Sequence, residues 1–394
     1  MRIVHLCLAN HYIEGYEYQE NILPRKHKQL GYEVSIIASQ YCFDKNMNEY
    51  ERPVDSYLNT DQIQVTVMPY DLRFGKFARM FRIYNGLYDM LQNIQPDIIF
   101  CHGTQFFSIG ELTKYKKKHP QVKIFSDQHG DYINTDVTRF RRRIFLHRFL
   151  WGHMVREAAK ISEVIWGVTP LRVTFLQDIY RVPAKKTALL VMGGDDDKID
   201  FANQRDIRAG LREKHNIAQD DFLIVTGGKI GKAKQIDLLM EAVAKINEPK
   251  IKLLVFGQPS ADMKIVFDTL SNHASIRYIG WIPSDETYNW FLASDLAVFP
   301  GTHSVLWEQA CACGIPCVFK YWAGMTHVDV GGNCRFLHEN SMEEIKRTIL
   351  ELYRDTDSYR KMKKIATERG IPEFSYEQIA RRSIQYEEHG GNDR

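Results

Sequence analysis

Three stretches of this chain bring together residue types that could do chemistry. In Val225-Thr-Gly-Gly-Lys-Ile-Gly-Lys-Ala-Lys-Gln a strand-like run enters glycines and then cations, and an amphipathic helical pattern follows. Glycines let the backbone approach a ligand closely, and a helix start offers unpaired N–H groups. Gly228 lies in the turn, with Lys229 and Lys234 flanking it and Lys232 between them. Two ammonium groups converging on a diphosphate would suit this spacing; so would a solvated loop with ordinary surface lysines. In Phe299-Pro-Gly-Thr-His-Ser-Val-Leu-Trp-Glu-Gln-Ala-Cys-Ala-Cys-Gly-Ile-Pro-Cys-Val the order is again strand, loop, helix, strand. Thr302, His303 and Ser304 fall in the loop, and Glu308 falls early in the helix. A carboxylate there could accept two ribose hydroxyls, or could simply be favoured by the helix dipole. The third stretch, Ile124-Phe-Ser-Asp-Gln-His-Gly-Asp, is a strand running into His129 and Asp131. A lone histidine is more often structural than catalytic, but one at the carboxyl end of a strand sits where ligands of α/β sheets bind.

The elements that must position these residues follow an alternating pattern. Strand candidates in the first half are Arg2–Leu8, Glu33–Ala38, Ile63–Met68, Asp97–Cys101, Lys123–Asp127 and Glu163–Gly167, with helical stretches such as Gln19–Leu30 and Arg79–Asn93 between them. The pattern resets near Leu189-Leu-Val-Met-Gly-Gly-Asp-Asp-Asp, a hinge-like segment. A second series follows: Phe222–Thr226, Lys252–Phe256, Ile276–Ile279, Leu296–Phe299 and Pro316–Phe319, with a helix over Ile236–Ile246. Such alternation predicts βαβ units and mostly parallel sheets. The reading is an α/β protein of two doubly wound, Rossmann-like domains facing a central cleft, residues 1–188 and 189–372. Two surface helices are predicted at Met342–Arg354 and Ser358–Glu368, and a last one opens at Ser375, its N-cap, with Gln378 as capping-box partner.

Composition narrows the function classes. The 394 residues suit about two to three domains. Hydrophobic residues make up 44% and charged ones 26%, which argues against disorder and against a fibrous protein. The 52 Lys and Arg against 49 Asp and Glu leave +3, too little to bind a polyanion by bulk charge. No apolar run approaches the roughly 18 to 20 residues of a bilayer span, and the N-terminus reads as a strand rather than a signal peptide. The seven cysteines are few and odd in number, as in a reducing compartment, so the expected location is cytoplasmic. Cys311, Cys313 and Cys317 read as small buried residues rather than metal ligands, and Asp195-Asp196-Asp197 as an interdomain turn rather than a metal motif; no metal or other cofactor is expected.

Taken together, the motifs resemble the retaining glycosyltransferases of the GT-B fold, in particular family 4 (glycosyl transferase group 1). Gly228-Lys229 and Lys234 match that family's Gly-Arg-x4-Lys element, with Lys in place of Arg. Glu308-Gln-Ala-Cys-Ala-Cys-Gly-Ile-Pro matches the second half of its E-x7-E element. Tyr278-Ile-Gly-Trp-Ile-Pro and Phe256-Gly257 match the strand–glycine turns at the nucleotide base, and Phe374-Ser375-Tyr376 matches the start of its last helix, which implies that residues 373–394 return to the N-terminal domain. The chain departs from the pattern too. Pro300 stands where the first glutamate belongs, and Ala323-Gly-Met-Thr-His-Val lacks the glutamate of the family's next loop. Gly15-Tyr-Glu-Tyr keeps one of two glycines near the acceptor.

The resemblance implies an enzyme that moves a sugar from a nucleotide diphosphate sugar, with UDP favoured, to a glycan or polyprenyl-diphosphate-linked acceptor with retention of configuration, in cell-surface polysaccharide synthesis. It implies that Lys229 and Lys234 neutralise the leaving diphosphate and that Glu308 holds the ribose. Ile282 would meet the base through its backbone, and His129 would face the sugar. Thr302, His303 and Ser304 would replace the missing carboxylate, and Gly15, Tyr16 and Asp131 would border the acceptor. Cations at Arg73, Lys76, Arg79 and Arg82, and at Arg139, Arg141, Arg142 and Arg143, suggest contact with an anionic membrane at the inner face of the cell membrane; a helix with aromatics inward and arginines in water fits the same pattern. No nucleic-acid motif is present. The alternatives are a nucleotide-sugar epimerase of the same fold and a non-catalytic sugar-nucleotide-binding subunit.

Overall fold

The central strands of the first sheet carry short apolar, often β-branched runs and are covered on both faces, with His5, Ser126 and Asp127 buried among them. β1 (Arg2–Cys7) carries Ile3, Val4 and Leu6, all fully buried. Its neighbours are β2 (Glu33–Ser39) on one side and, after the short β3 (Tyr41–Phe43), β4 (Glu49–Glu51), β5 (Ser56–Leu58) and β6 (Gln64–Met68), β7 (Ile98–His102) on the other. β8 (Lys123–Gln128), β9 (Val164–Gly167) and β10 (Thr187–Leu189) complete the sheet, in the order β10-β9-β8-β7-β1-β2-β6-β5. All pairs are parallel except β5 with β6. This computed structural model describes residues 1–44, 48–132 and 146–386.

A second sheet is wholly parallel. Its strands are β11 (Phe222–Ile230), β12 (Ile251–Pro259), β13 (Ile276–Tyr278), β14 (Leu296–Phe299), β15 (Cys317–Lys320) and β16 (Cys334–Leu337), in the order β13-β12-β11-β14-β15-β16. The chain order reverses between β11 and β14, and in the first sheet between β1 and β7. Those are the switch points outside whose carboxyl ends a doubly wound sheet accepts ligands.

The chain forms two compact units, Met1–Val191 with Ile379–Arg394, and Met192–Gln378. The crossing back falls inside the last helix, Tyr376–Ser383, whose Gln378 N–H donates to Ser375 Oγ at 3.3 Å. One helix and several short strands depart from the sequence reading. The helix predicted over Arg79–Asn93 is two short helices, Lys76–Phe81 and Leu87–Ile94. Arg82 takes a left-handed conformation (φ 53°) and Gly86 follows at φ 83°, which ends one helix and restarts the other. The hairpin of β3 and β4 and the edge strands β5, β10 and β16 are short and lack apolar runs, so periodicity did not mark them. Cys7, Cys42, Cys101, Cys311, Cys313, Cys317 and Cys334 are all buried free thiols. Among the described residues no helix is long and apolar enough to cross a membrane.

Candidate active site

In the second unit, β11 and β12 run on together past the ends of β14 and β13, and glycine makes this possible. A Cβ on Gly257 would lie 2.0 Å from the Gly228 carbonyl oxygen, so these two backbones touch as only glycine allows. Gly228 itself has φ 109°. Beyond β11 the turn Lys232–Lys234 packs on the loop after β14. Thr302 N–H donates to Ala233 O at 2.9 Å, and a Cβ on Gly301 would come within 2.3 Å of the Lys234 backbone. Lys234 then reaches back across the switch point. Its ammonium donates to Thr302 O at 2.7 Å and His303 O at 2.9 Å. Partial burial lowers its pKa. Lys229 is exposed near the end of β11 and Lys232 faces Asp262 at 3.7 Å, so the structure seats one of the three lysines firmly and leaves the others at the surface.

Glu308 lies in the first turn of the helix Leu306–Ala312 and is fully buried. A buried carboxylate needs charged or hydrogen-bonding partners. Its partners are two imidazoles: His303 Nε2 is 2.7 Å and His327 Nε2 2.9 Å from the same oxygen, Oε1. Burial alone would raise the carboxyl pKa, but the two histidines outweigh it and hold it at about 2. The second oxygen, Oε2, is buried without a hydrogen-bond partner. It is therefore an acceptor in place with nothing to accept from. His327 escaped the sequence reading, although it occupies the loop where that reading noted a missing glutamate. One ligand atom each from His303, Glu308 and His327 lies within 4.8 Å of the others, a group that could hold a divalent ion. Asp195 and Asp196 are engaged in backbone contacts instead, Asp195 with Asp197 N–H at 3.4 Å and Asp196 with Glu377 N–H at 2.7 Å.

Ile282 follows Gly280 (φ 77°), whose carbonyl accepts from Gly257 N–H at 2.7 Å. This places the segment after β13 beside the glycine crossing at β11 and β12. Thr302 and Ser304 are half-buried in the loop that Lys234 ties down.

In the first unit, His129 follows β8, its Nε2 3.5 Å from Asp127 Oδ2. Burial lowers the proton affinity of this ring, but Asp127 more than compensates and the pKa stands above its ordinary value. Asp131 pairs with Arg172 at 3.3 Å. Gly15 has φ 80° in an exposed turn, and Tyr16 stacks on Tyr18 with ring centroids 5.3 Å apart.

Of the basic stripe at residues 73–82, Arg73, Lys76 and Arg79 are exposed and Arg82 is half-buried. Arg73 pairs with Asp71 at 2.6 Å, and Arg79 pairs with Glu49 at 2.9 Å while lying 3.7 Å from the Tyr41 ring centroid. Arg82, beyond the helix end, turns inward and donates to Gln105 O at 2.8 Å. The helix is too short to carry the three-residue spacing. Beside the exposed Arg73, Lys76 and Arg79 the segment also exposes apolar side chains, Leu72, Phe74, Phe77 and Met80. Arg139, Arg141, Arg142 and Arg143 lie outside the described residues.

Residues 208–369 match the family model of the glycosyl transferases group 1. The matched span runs from before β11 to beyond the helix Thr356–Ile365 and so contains both loops of the switch point. A curated relative, N-acetyl-alpha-D-glucosaminyl L-malate synthase of Bacillus anthracis, is 22% identical over 369 residues, 91% of this chain and 90% of its own. Among solved structures, Anabaena Alr3699/HepE in complex with UDP superposes with a TM-score of 0.68 at 16% identity, over 97% of this chain and 98% of that one. UDP-GlcNAc 2-epimerase from Neisseria meningitidis, bound to UDP-GlcNAc, gives 0.61 at 11% identity, over 98% and 99%. The fold is GT-B. The family match over residues 208–369 and the curated relative's name support a glycosyltransferase.

Proposed function

We propose that the protein transfers a sugar from a UDP-sugar to a glycan or lipid-linked acceptor with retention at the anomeric carbon. The observation that carries this reading is the seat of Lys234. An ammonium held by two loop carbonyls at the switch point is preorganised for anionic charge, and the diphosphate is where charge develops as the sugar departs. Beside it, Glu308 offers a buried, unpartnered carboxylate oxygen suited to a ribose hydroxyl. Retention then needs no enzymic nucleophile: the acceptor attacks from the face the diphosphate leaves, and catalysis consists of positioning and charge stabilisation. His129 is the residue proposed for the donor sugar, and Lys229 a second, more mobile cation for the phosphates. The Anabaena complex with UDP supports the base assignment.

Thermal-shift measurements with UDP, GDP, ADP and CMP, followed by slow donor hydrolysis, test the proposal. UDP alone should raise the melting temperature, and the matching UDP-sugar should be hydrolysed without inversion at its second carbon; inversion there would mark an epimerase, and binding without turnover a non-catalytic subunit. Run with EDTA present, the assay should be unaffected; collapse on chelation would assign His303, Glu308 and His327 to a metal. Lys234→Ala should lower turnover by roughly 100-fold or more while leaving the fold intact.

A further inference from the structure

The carboxyl-end residues of the first sheet hide a chain of imidazoles that the proposed reaction does not use. His5 sits mid-strand on β1, His102 ends β7, and Asp127, its register partner, lies on β8. His27 comes from the helix Gln19–Gln29 above them. His5, His27, His102 and Asp127 are fully buried. His27 Nε2 is 3.0 Å from Ala380 O in the last helix; His27 Nδ1 is 3.0 Å from His5 Nε2; His5 Nδ1 is 2.9 Å from His102 Nε2; and His102 Nδ1 is 3.1 Å from Asp127 Oδ2. Asp127 Oδ1 accepts from Gly103 N–H at 2.9 Å, and Oδ2 also faces His129.

Both ends of this chain are acceptors, a carbonyl and a carboxylate. Each of the four contacts needs one proton, and three neutral imidazoles carry only three. We infer that His27, His5 and His102 form a buried proton relay that holds one proton more than three neutral rings, and that they act through Asp127 as positioning residues for His129. The extra proton belongs on the ring against the carboxylate, His102. Burial pulls His27 down to about 4, and burial with two neighbouring imidazoles holds His5 well below its ordinary value, so neither accepts it. Burial opposes ionisation of Asp127, yet His129 and His102 hold its carboxyl well below the usual range.

A second proton order exists. Ser383 Oγ lies 3.2 Å from His27 Nε2 and at present donates to Ala380 O at 2.8 Å. Turned toward His27, the hydroxyl would donate to Nε2 in place of the contact with Ala380 O, the two contacts between rings would reverse, His102 Nδ1 would still donate to Asp127, and three neutral rings would suffice. The two orders differ by one proton and one hydroxyl rotation. Losing that proton uncovers the charge of Asp127 and raises the proton affinity of His129. The other groups facing His129 are Glu20, which favours its protonated form, and Arg172, which opposes it. Around the relay, burial keeps the Cys7 and Cys101 thiols protonated, and the Tyr32 ring meets His27 edge-on at 6.1 Å.

Long-range proton–nitrogen spectra of histidine-labelled protein, without substrate and over about pH 5 to 9, read the relay directly. Near neutrality His27 and His5 should each carry the proton on Nε2, and His102 on both nitrogens. At higher pH one step should reverse the tautomers together and raise the titration of His129. Three neutral rings at neutrality, or rings that titrate independently, would overturn the proposal. Ser383→Ala removes the hydroxyl that the neutral order needs, so the alkaline step should move up by about one pH unit or more; an unmoved step counts against the relay. The pH profile of kcat/KM should shift with the His129 titration, an arm that rests on the proposed transferase reading. Correct tautomers with an unresponsive pH profile would sink the coupling to His129, whereas failure of the nucleotide screen would sink the transferase reading and leave the spectra interpretable.

Discussion

Glu308 shows how one side chain is tuned by its neighbours. Its two oxygens live differently: Oε1 accepts from two imidazoles, and Oε2 is buried and unpartnered. Since its folded pKa of about 2 lies below the usual carboxylate value, the group stabilises the fold above the unfolded pKa and loses that contribution as pH falls toward 2. Glu308→Gln removes the charge that both histidines face. Urea titrations should show a loss of about 2 to 3 kcal/mol at neutral pH that shrinks as pH falls from about 4.5 to 2, where the wild-type carboxylate protonates as well. UDP affinity should drop in the same variant. A carboxylate early in the helix was legible from its place in the strand–loop–helix order. Its histidine partners were not: His303 is five residues away in sequence, but His327 arrives from a loop nineteen residues on, and only the fold brings it close.

At the scale of elements, close approaches decide the geometry of the loops at the second sheet's switch point. Gly301 allows the loop after β14 to lie on the Lys232–Lys234 turn, and that contact sets the carbonyls that hold Lys234. Gly301→Ala would insert a methyl group 2.3 Å from the Lys234 backbone. Neither backbone can yield cheaply, so the loops should part, costing about 2 kcal/mol or more in stability. Turnover should fall as in Lys234→Ala, and stability and kinetics measured on one sample check both. The long parallel strands were readable because buried strands are continuous apolar runs. Their glycine extensions were not, since nothing in Thr226-Gly-Gly-Lys distinguishes a strand that continues from a loop that begins. The short edges and the split after Arg82 failed for the related reason that their limits are set by tertiary packing rather than periodicity. The histidine relay escaped because a lone His in an apolar strand is ambiguous until neighbouring strands supply the next ring.

Across the molecule, the charge of +3 conceals cations in unlike settings. Lys234 is seated at the switch point, while Arg73 and Arg79 are neutralised by acids beside them. The same segment exposes apolar side chains beside its cations, which gives the proposed membrane contact a test. Phe74→Ser with Phe77→Ser should weaken sedimentation with vesicles rich in anionic lipid at low salt, and should weaken it more than Arg79→Gln does; equal sedimentation of all variants would remove this segment as a membrane contact. Because the two units fold on separate sheets, their stabilities can also be perturbed separately. The buried thiols make that visible. A thiol shielded from solvent reacts with a disulfide reagent only when its surroundings open, so labelling is a clock for local unfolding. Cys7, Cys42 and Cys101 keep time for the first unit, and Cys311, Cys313, Cys317 and Cys334 for the second. Mass spectrometry of partly labelled protein should show UDP slowing the clock of the second unit and leaving that of the first running, which would locate the nucleotide without a single substitution.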